Sequence, residues 1–388
     1  MLRPQRKQWD MAFAASGPEA LSILESGRFD MIVTDMRMPG MDGAQLLEQV
    51  QKRFPGVIRV VLSGYVERDA ALRAAPVAHQ FLAKPCDPAL LLAVLERSCS
   101  SASGLADDTT RWVVGAIGKL PSLPSTCSAL TAALQDPDVS LADVGGIIER
   151  DVGMTAKVLQ LVNSAFFGLV HEVTTVRGAV GVLGLDTLQR LVLTVEIFRT
   201  FRPGRSIPGF SLDGFERHSH FAARIAALLP APKPVSSAAV VAALLHDTGK
   251  LILASHLPGQ FELALRKASE ESRPLHTVER ELTGTGHAEI GAYLLDLWGL
   301  PKTIVDAVAR HHRPPLSGRP ARELDVLAIT HIADALAFEV QRDESGSGDA
   351  AWSCNLLDGE YVASLGVADQ VPDWRALATK VNDGRERQ

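Results

Sequence analysis

Three short apolar runs, each closed by a polar residue and a turn signal, mark the first quarter of the chain. Met31-Ile32-Val33 leads to Asp35, Arg59-Val60-Val61-Leu62 leads to Ser63-Gly64, and His79-Gln80-Phe81-Leu82 leads to Lys84-Pro85. Runs of this length, bounded by Pro, Gly and Asp, read as buried strands, with amphipathic stretches between them as helices. A further strand is predicted at about 10–14 and a helix at 88–97. Strands alternating with helices predict a parallel, doubly wound α/β sheet, whose chemistry gathers where the carboxyl ends of strands meet the loops. Asp35, Ser63 and Lys84 all fall at that edge.

The pattern then changes. A polar stretch, Ser98 to Gly104, reads as a flexible linker. From Gly115 to about Val340 apolar residues recur at three and four, with breaks at Pro121, Pro124, Pro137, Gly168, Gly181, Gly184 and Pro208, and no strand pattern interrupts. A second polar break, Arg342 to Asp349, precedes two helices expected at about 358–365 and 373–381. The division that follows is an α/β domain at 1–98, a linker at 99–112, an all-α domain at 113–340 and a helical extension at 341–388.

Composition narrows the classes. At 388 residues and 46% hydrophobic content, two or three well-cored domains are expected. The best apolar run, Ala238 to Leu245, is short of the 18 or so residues of a membrane helix, and no charged-then-apolar leader precedes a small-residue cleavage site, so a cytoplasmic protein without a membrane partner is expected. Cys86, Cys99, Cys127 and Cys354 form no CxxC pair and read as packing thiols of a reducing compartment. A net charge of -6 argues against a nucleic-acid footprint, which should be basic.

At the sheet edge, a carboxylate such as Asp35 suits phosphoryl acceptance. Lys84 could balance the acyl phosphate and the Ser63 hydroxyl could report it. This arrangement resembles the receiver domain of bacterial response regulators over roughly residues 1–98. The resemblance implies a flavodoxin-like fold, Asp35 as phosphoacceptor, Ser63 and Lys84 as the switch pair, a cis Lys84-Pro85 bond, Mg²⁺ as cofactor and a sensor histidine kinase as partner. The chain departs from the family at its start: no carboxylate precedes Asp10, so the acidic pair that holds Mg²⁺ is lacking. The family's first strand, central in its sheet, is also lacking. Either the natural chain starts further upstream, the favoured expectation since the rest of the site is intact, or this receiver is not phosphorylated.

In the helical region, KLPSLPSTCSALTAAL, IIERDVGMTAKVLQLVNSAFFG and TTVRGAVGVLGLDTLQRLVL resemble the signature segments of the HDOD domain, a helical output module related to the HD phosphohydrolases. Polar residues also occupy core-facing helical positions. His218 precedes Ala222 and Ile225, His246-Asp247 follow Ala238 to Leu245, and His287 shares a face with Ile290 and Leu294. His311 and His312 extend the Ile304/Val308 stripe, and Asp334 falls between Leu327 and Phe338. Core-facing His and Asp must be paired or metal-bound, so convergence is expected. The set His218, His246, Asp247, His287, His311, His312 and Asp334 is similar to the HD phosphohydrolase ligand pattern. That similarity implies a divalent transition metal, with Lys250 one turn past His246 to meet a phosphate and Asp247 a catalytic candidate if the module hydrolyses. His220, His256, His276 and His331 are expected at the surface or as caps. RPPLSGRP, after His312, lacks the Gly-Tyr-Pro run of the HD-GYP phosphodiesterases.

The expectation is a response regulator whose receiver controls an HDOD output acting through protein interaction on an unknown output protein, with a homodimer as one assembly it allows. The alternative is a metal-dependent HD-type phosphohydrolase acting on a nucleotide or cyclic dinucleotide.

Overall fold

The computed structural model describes residues 9–64, 73–103, 108–117, 120–122, 124–136, 138–164, 169, 172–193, 199–200, 206–316, 323–345 and 357–383. The N-terminal part carries α1 (Gly17–Ser26), β1 (Met31–Asp35), α2 (Gly43–Arg53), β2 (Ile58–Gly64), β3 (Gln80–Lys84) and α3 (Pro88–Ser103). Local chemistry starts the helices: Ser16 caps α1 ahead of Pro18, and Asp42 forms a reciprocal capping box with Gln45 at α2. The strands are parallel in the order β1-β2-β3, with Asp35 opposite Leu62 and Ser63 opposite Ala83. Their side chains alternate between two cores: Val60 and Leu82 join one cluster, Val61 and Phe81 the other.

Two expectations are corrected here. Residues 10–14 form no strand. A strand there would need a neighbour to complete its ladder, and among the described residues β1 pairs with β2 alone. The polar stretch after Ser98 is helical as far as Ser103, in place of the expected flexible linker; residues 104–107 lie outside the described residues, and α4 (Asp108–Ala116) follows. Small Ser and Ala side chains leave the helical ladder intact while removing the apolar stripe by which periodicity is read.

The remainder is helical: α5 (Pro124–Ala133), α6 (Leu141–Ile148), α7 (Val152–Asn163), α8 (Val176–Leu183), α9 (Leu185–Leu193), α10 (Leu212–Leu228), α11 (Lys233–Leu245), α12 (Thr248–His256), α13 (Pro258–Glu270), α14 (Leu275–Thr283), α15 (His287–Leu297), α16 (Lys302–Arg310), α17 (Val326–Ser345), α18 (Gly359–Ser364) and α19 (Val371–Asn382). A two-residue parallel bridge, β4 (Pro121–Ser122) with β5 (Arg199–Thr200), interrupts it where no strand pattern is legible. The stretch Lys233–His256 is long and apolar enough to cross a membrane by composition, but 83% of its most apolar window is buried within the protein. Cys86 and Cys127 are free thiols, and Cys354 lies outside the described residues.

The two parts share a core. Leu161 of α7 and Leu191 of α9 pack with Val61, Val77 and Phe81, and Ile58, Val60 and Leu82 belong to the main helical cluster. Buried donors on one side satisfy backbone carbonyls on the other. Lys157 Nζ donates to Ala75 O at 2.7 Å and lies 4.9 Å above the Trp298 ring, while Gln160 Nε2 reaches Ala78 O and His79 O at 3.2 and 3.1 Å. Such pairing is required where backbone is removed from water.

Candidate functional site

At the receiver edge, β1 delivers Asp35, β2 Ser63 and β3 Lys84 to the carboxyl ends of adjacent strands. Lys84 Nζ donates to Asp35 Oδ2, and both side chains are 40% exposed, open to solvent as phosphoryl transfer requires. Ser63 Oγ is buried without a hydrogen-bond partner, and the Lys84-Pro85 bond is cis. Receivers imply Mg²⁺, but among the described residues no group of three or more potential ligands gathers around Asp35. Mg²⁺ takes one or two carboxylates beside phosphate oxygens, and Asp35 is the carboxylate that the end of β1 offers it.

In the helical domain the seven sequence-selected residues come together from five elements: His218 from α10, His246 and Asp247 from the α11–α12 corner, His287 from α15, His311 and His312 from the end of α16, and Asp334 from α17. They form two ligand-capable sets, Asp247/His287/His311/His312 and His218/His246/Asp334, with ligand atoms within 4.8 Å of one another in each set. The carboxylates join the sets. Asp247 Oδ1 lies 3.1 Å from His287 Nε2 while its Oδ2 lies 3.3 Å from His246 Nε2. Asp334 Oδ1 lies 3.1 Å from His218 Nε2 and its Oδ2 3.7 Å from His312 Nδ1.

Four histidines are held from behind. A carbonyl or carboxylate oxygen can only accept, so each contact fixes the proton on Nδ1 and turns Nε2 inward. His246 donates to Ala243 O at 2.7 Å and His311 to Val308 O at 2.7 Å. In both cases the histidine satisfies a carbonyl left over in the last turn of its own helix. His287 donates to Glu279 Oε2 at 2.6 Å, and the same oxygen accepts the His287 backbone N–H at 2.8 Å. His218 donates to Gln341 Oε1 at 2.9 Å. The inward Nε2 of His311 is buried with no hydrogen-bond partner, while that of His246 faces Asp247 Oδ2 and Asp334 Oδ1 at 3.3 Å each. Mixed imidazole and carboxylate donors of this kind fit a divalent transition metal.

Charge is concentrated here. Burial alone would lower His246, but Asp247 and Asp334 outweigh it and push it up to about 10. His287 is likewise depressed by burial, yet Glu279 drives it up to about 9. Burial, with the His246 cation beside it, takes His311 down to about 3, and His312 is also well below its usual value through burial and His311. Burial works to raise Asp247 and Asp334, and the flanking cations reverse it, holding both well below the usual carboxylate range. Lys250 Nζ donates to Asp247 Oδ2 at 2.5 Å. Exposure is confined to His218 (16%), Lys250 (18%) and His312 (9%), whose side chains define the mouth of the site.

Sequence periodicity missed Glu279 and Gln341, which act only through the histidines they orient, and underrated His276 and His331. His276 stacks on His312 with centroids 4.2 Å apart, and burial takes it down to about 4. His331 is no surface residue: it is buried, donates Nδ1–H to His311 O at 2.6 Å, and accepts the Asp358 N–H on Nε2 at 3.0 Å. It therefore caps α16 and ties the C-terminal extension to the cluster. A core-facing histidine between apolar neighbours is the signal that could have found it.

The family described as the HDOD domain matches residues 120–314, half of the chain, and the response regulator receiver domain matches residues 1–96. An uncharacterized protein of Treponema pallidum (strain Nichols) is 29% identical over 199 residues, 51% of this chain and 39% of that protein. The DNA-binding transcriptional regulator NtrC of Escherichia coli (strain K12) is 37% identical over 86 residues, 22% of this chain and 18% of that protein. The chain thus spans well under half the length of these curated relatives. Among solved structures, the MmoQ response regulator from Methylococcus capsulatus str. Bath is 25% identical with a TM-score of 0.50, covering 64% of this chain and 98% of that one. A virulence factor from Campylobacter jejuni subsp. jejuni, 23% identical with a TM-score of 0.53 over 71% of this chain and 97% of its own, shares the fold. With half its length matched by that helical family and a three-stranded receiver ahead of it, the chain belongs to the HDOD family, as a response regulator in which a receiver domain is fused to an HDOD output module.

Proposed function

We propose that this response regulator is of the phosphoaspartate type, with Asp35 as acceptor and Ser63 and Lys84 as the switch pair, and that its HDOD module holds divalent metal at the His/Asp centre. A receiver implies a cognate sensor kinase. The observation that carries the metal reading is the uniform presentation of Nε2 by His218, His246, His287 and His311, each with Nδ1 held by an acceptor behind it. A hydrogen-bonded relic has no need to leave the His311 lone pair buried and unpartnered, since such an atom costs about 1–3 kcal/mol.

Of the two outputs, a metal-dependent phosphohydrolase is favoured over a surface acting only through protein interaction. Asp247 joins the two ligand sets, and Lys250 is fixed on Asp247 at the mouth, where a cation would meet a phosphate oxygen. Bound divalent ions would act there as Lewis acids on a phosphate ester and supply an activated water. Asp247 and Asp334 balance the added charge, and Glu279 holds His287 in the tautomer that ligation needs. The absence of a Gly-Tyr-Pro run removes one substrate-specific branch, and leaves this chemistry untouched.

The test is elemental analysis of the purified full chain, followed by assay of nucleotides and cyclic dinucleotides with Mn²⁺ or Fe²⁺. Stoichiometric metal, and turnover that falls by orders of magnitude in Asp247→Asn, are expected. Stoichiometric metal without turnover returns the output to protein interaction, and no metal at all removes the metal reading.

A further inference from the structure

The helix α15 has one end in the His/Asp centre and the other in the receiver. Its 11 residues span about 16 Å at about 1.5 Å per residue. At its first residue, His287 faces Asp247 and His312 at 3.1 and 2.9 Å. At its last turn, the receiver closes on it. Gln80 Nε2 of β3 donates to Leu297 O at 2.7 Å, and Arg97 of α3 grips Asp296 Oδ1 through Nε at 2.7 Å and Leu300 O through Nη2 at 2.5 Å. Gly299, with φ at +76°, makes room for this: a Cβ there would come within 2.7 Å of Gln80 Nε2.

The near end of α15 is packed backbone to backbone against the HD corner. A Cβ on Gly249 would lie 1.9 Å from His287 O, and one on Gly291 would lie 2.8 Å from Gly249 N. Contact that close leaves no side chain to absorb a shift, so α15 cannot slide without carrying the start of α12, and with it Asp247 and Lys250. The strand that grips the far end closes the chain of contacts. Four residues after Gln80, β3 ends at Lys84, whose Nζ sits on Asp35.

We propose that α15 is a positioning rod: the receiver residues Gln80 and Arg97 set the place of His287, and through the Gly249–Gly291 contact that of the Asp247 corner, in the His/Asp centre. This rests on reading the centre as a ligand site. Gln80 and Arg97 touch no ligand group, so they act through the helix, and the route joins the candidate phosphoacceptor to the centre through packed backbone.

The test uses the full chain with ¹⁵N-labelled histidine, the His287 imidazole being assigned by its loss in His287→Gln. In Gln80→Leu/Arg97→Met the His287 ring resonances should shift and Mn²⁺ affinity should weaken by about tenfold, as for the loss of an outer-shell support. Gln160→Met is the control, since it also breaks contacts with the receiver but through α7, and it should leave His287 in place. Gln80→Leu alone serves if the double variant does not fold. Unmoved His287 resonances in the Gln80 and Arg97 variants, or an equal shift in Gln160→Met, overturn the proposal. Wild-type protein that takes up no Mn²⁺ would defeat the ligand-site reading, and the imidazole resonances then decide the linkage without it.

Discussion

Asp247→Asn isolates the charge at the heart of the centre, because the amide keeps the carboxylate's volume and opens no cavity. In the wild-type protein Asp247 faces Lys250 Nζ at 2.5 Å, His287 Nε2 at 3.1 Å and His246 Nε2 at 3.3 Å, all but Lys250 fully enclosed. Removing one partner of a buried ion pair costs about 3–5 kcal/mol, because the remaining charge stays desolvated. The lower end, about 3 kcal/mol, is expected here, since His246 keeps Asp334 at 3.3 Å and can shed its proton. Urea unfolding of the full chain in EDTA measures this, read as a drop in midpoint at unchanged slope. With metal at a hundred times its dissociation constant, wild type should gain about 2.7 kcal/mol and the variant nothing. A variant as stable as wild type in EDTA, or one that keeps the metal-dependent gain, refutes the reasoning.

Three further outcomes are expected. With a small phosphodonor and Mg²⁺ the chain should acquire little acyl phosphate, because among the described residues no group of three or more ligands gathers with Asp35 to hold the ion; stoichiometric labelling lost in Asp35→Ala would refute this weak-Mg²⁺ reasoning while supporting Asp35 as the acceptor. Metal-free stability should peak near pH 6.5. His246 and His287, raised to about 10 and about 9, contribute stability that is complete below the unfolded value and lost as pH rises through those values; His311 and His276, lowered to about 3 and about 4, contribute stability present above it and lost as pH falls. A urea midpoint flat from pH 4 to 10 contradicts it, and metal affinity should rise across the alkaline limb, because ligation displaces those protons. Finally, His331→Phe strands His311 O and Asp358 N–H, at about 1–3 kcal/mol each, and should sensitise residues 357–383 to limited proteolysis; unchanged cleavage counts against the tie.

The sequence by itself determined the strands ending at Asp35, Ser63 and Lys84, the helical character of the rest, and the identity of the seven clustered residues. These are local or periodic facts: a strand's apolar run and a helix's three-and-four spacing are written in neighbouring positions, and a His or Asp on an apolar stripe announces itself. Tertiary structure decided the rest. Residues 10–14 have a strand-like sequence but no strand, because a ladder depends on a neighbour and not on the segment. Glu279 and Gln341 look like ordinary polar residues until folding sets them behind His287 and His218, and His331 until it bridges His311 and Asp358. The receiver's grip on α15 joins Gln80 to Leu297 and Arg97 to Asp296 across some two hundred residues, and a backbone carbonyl as acceptor leaves no mark on the sequence at all.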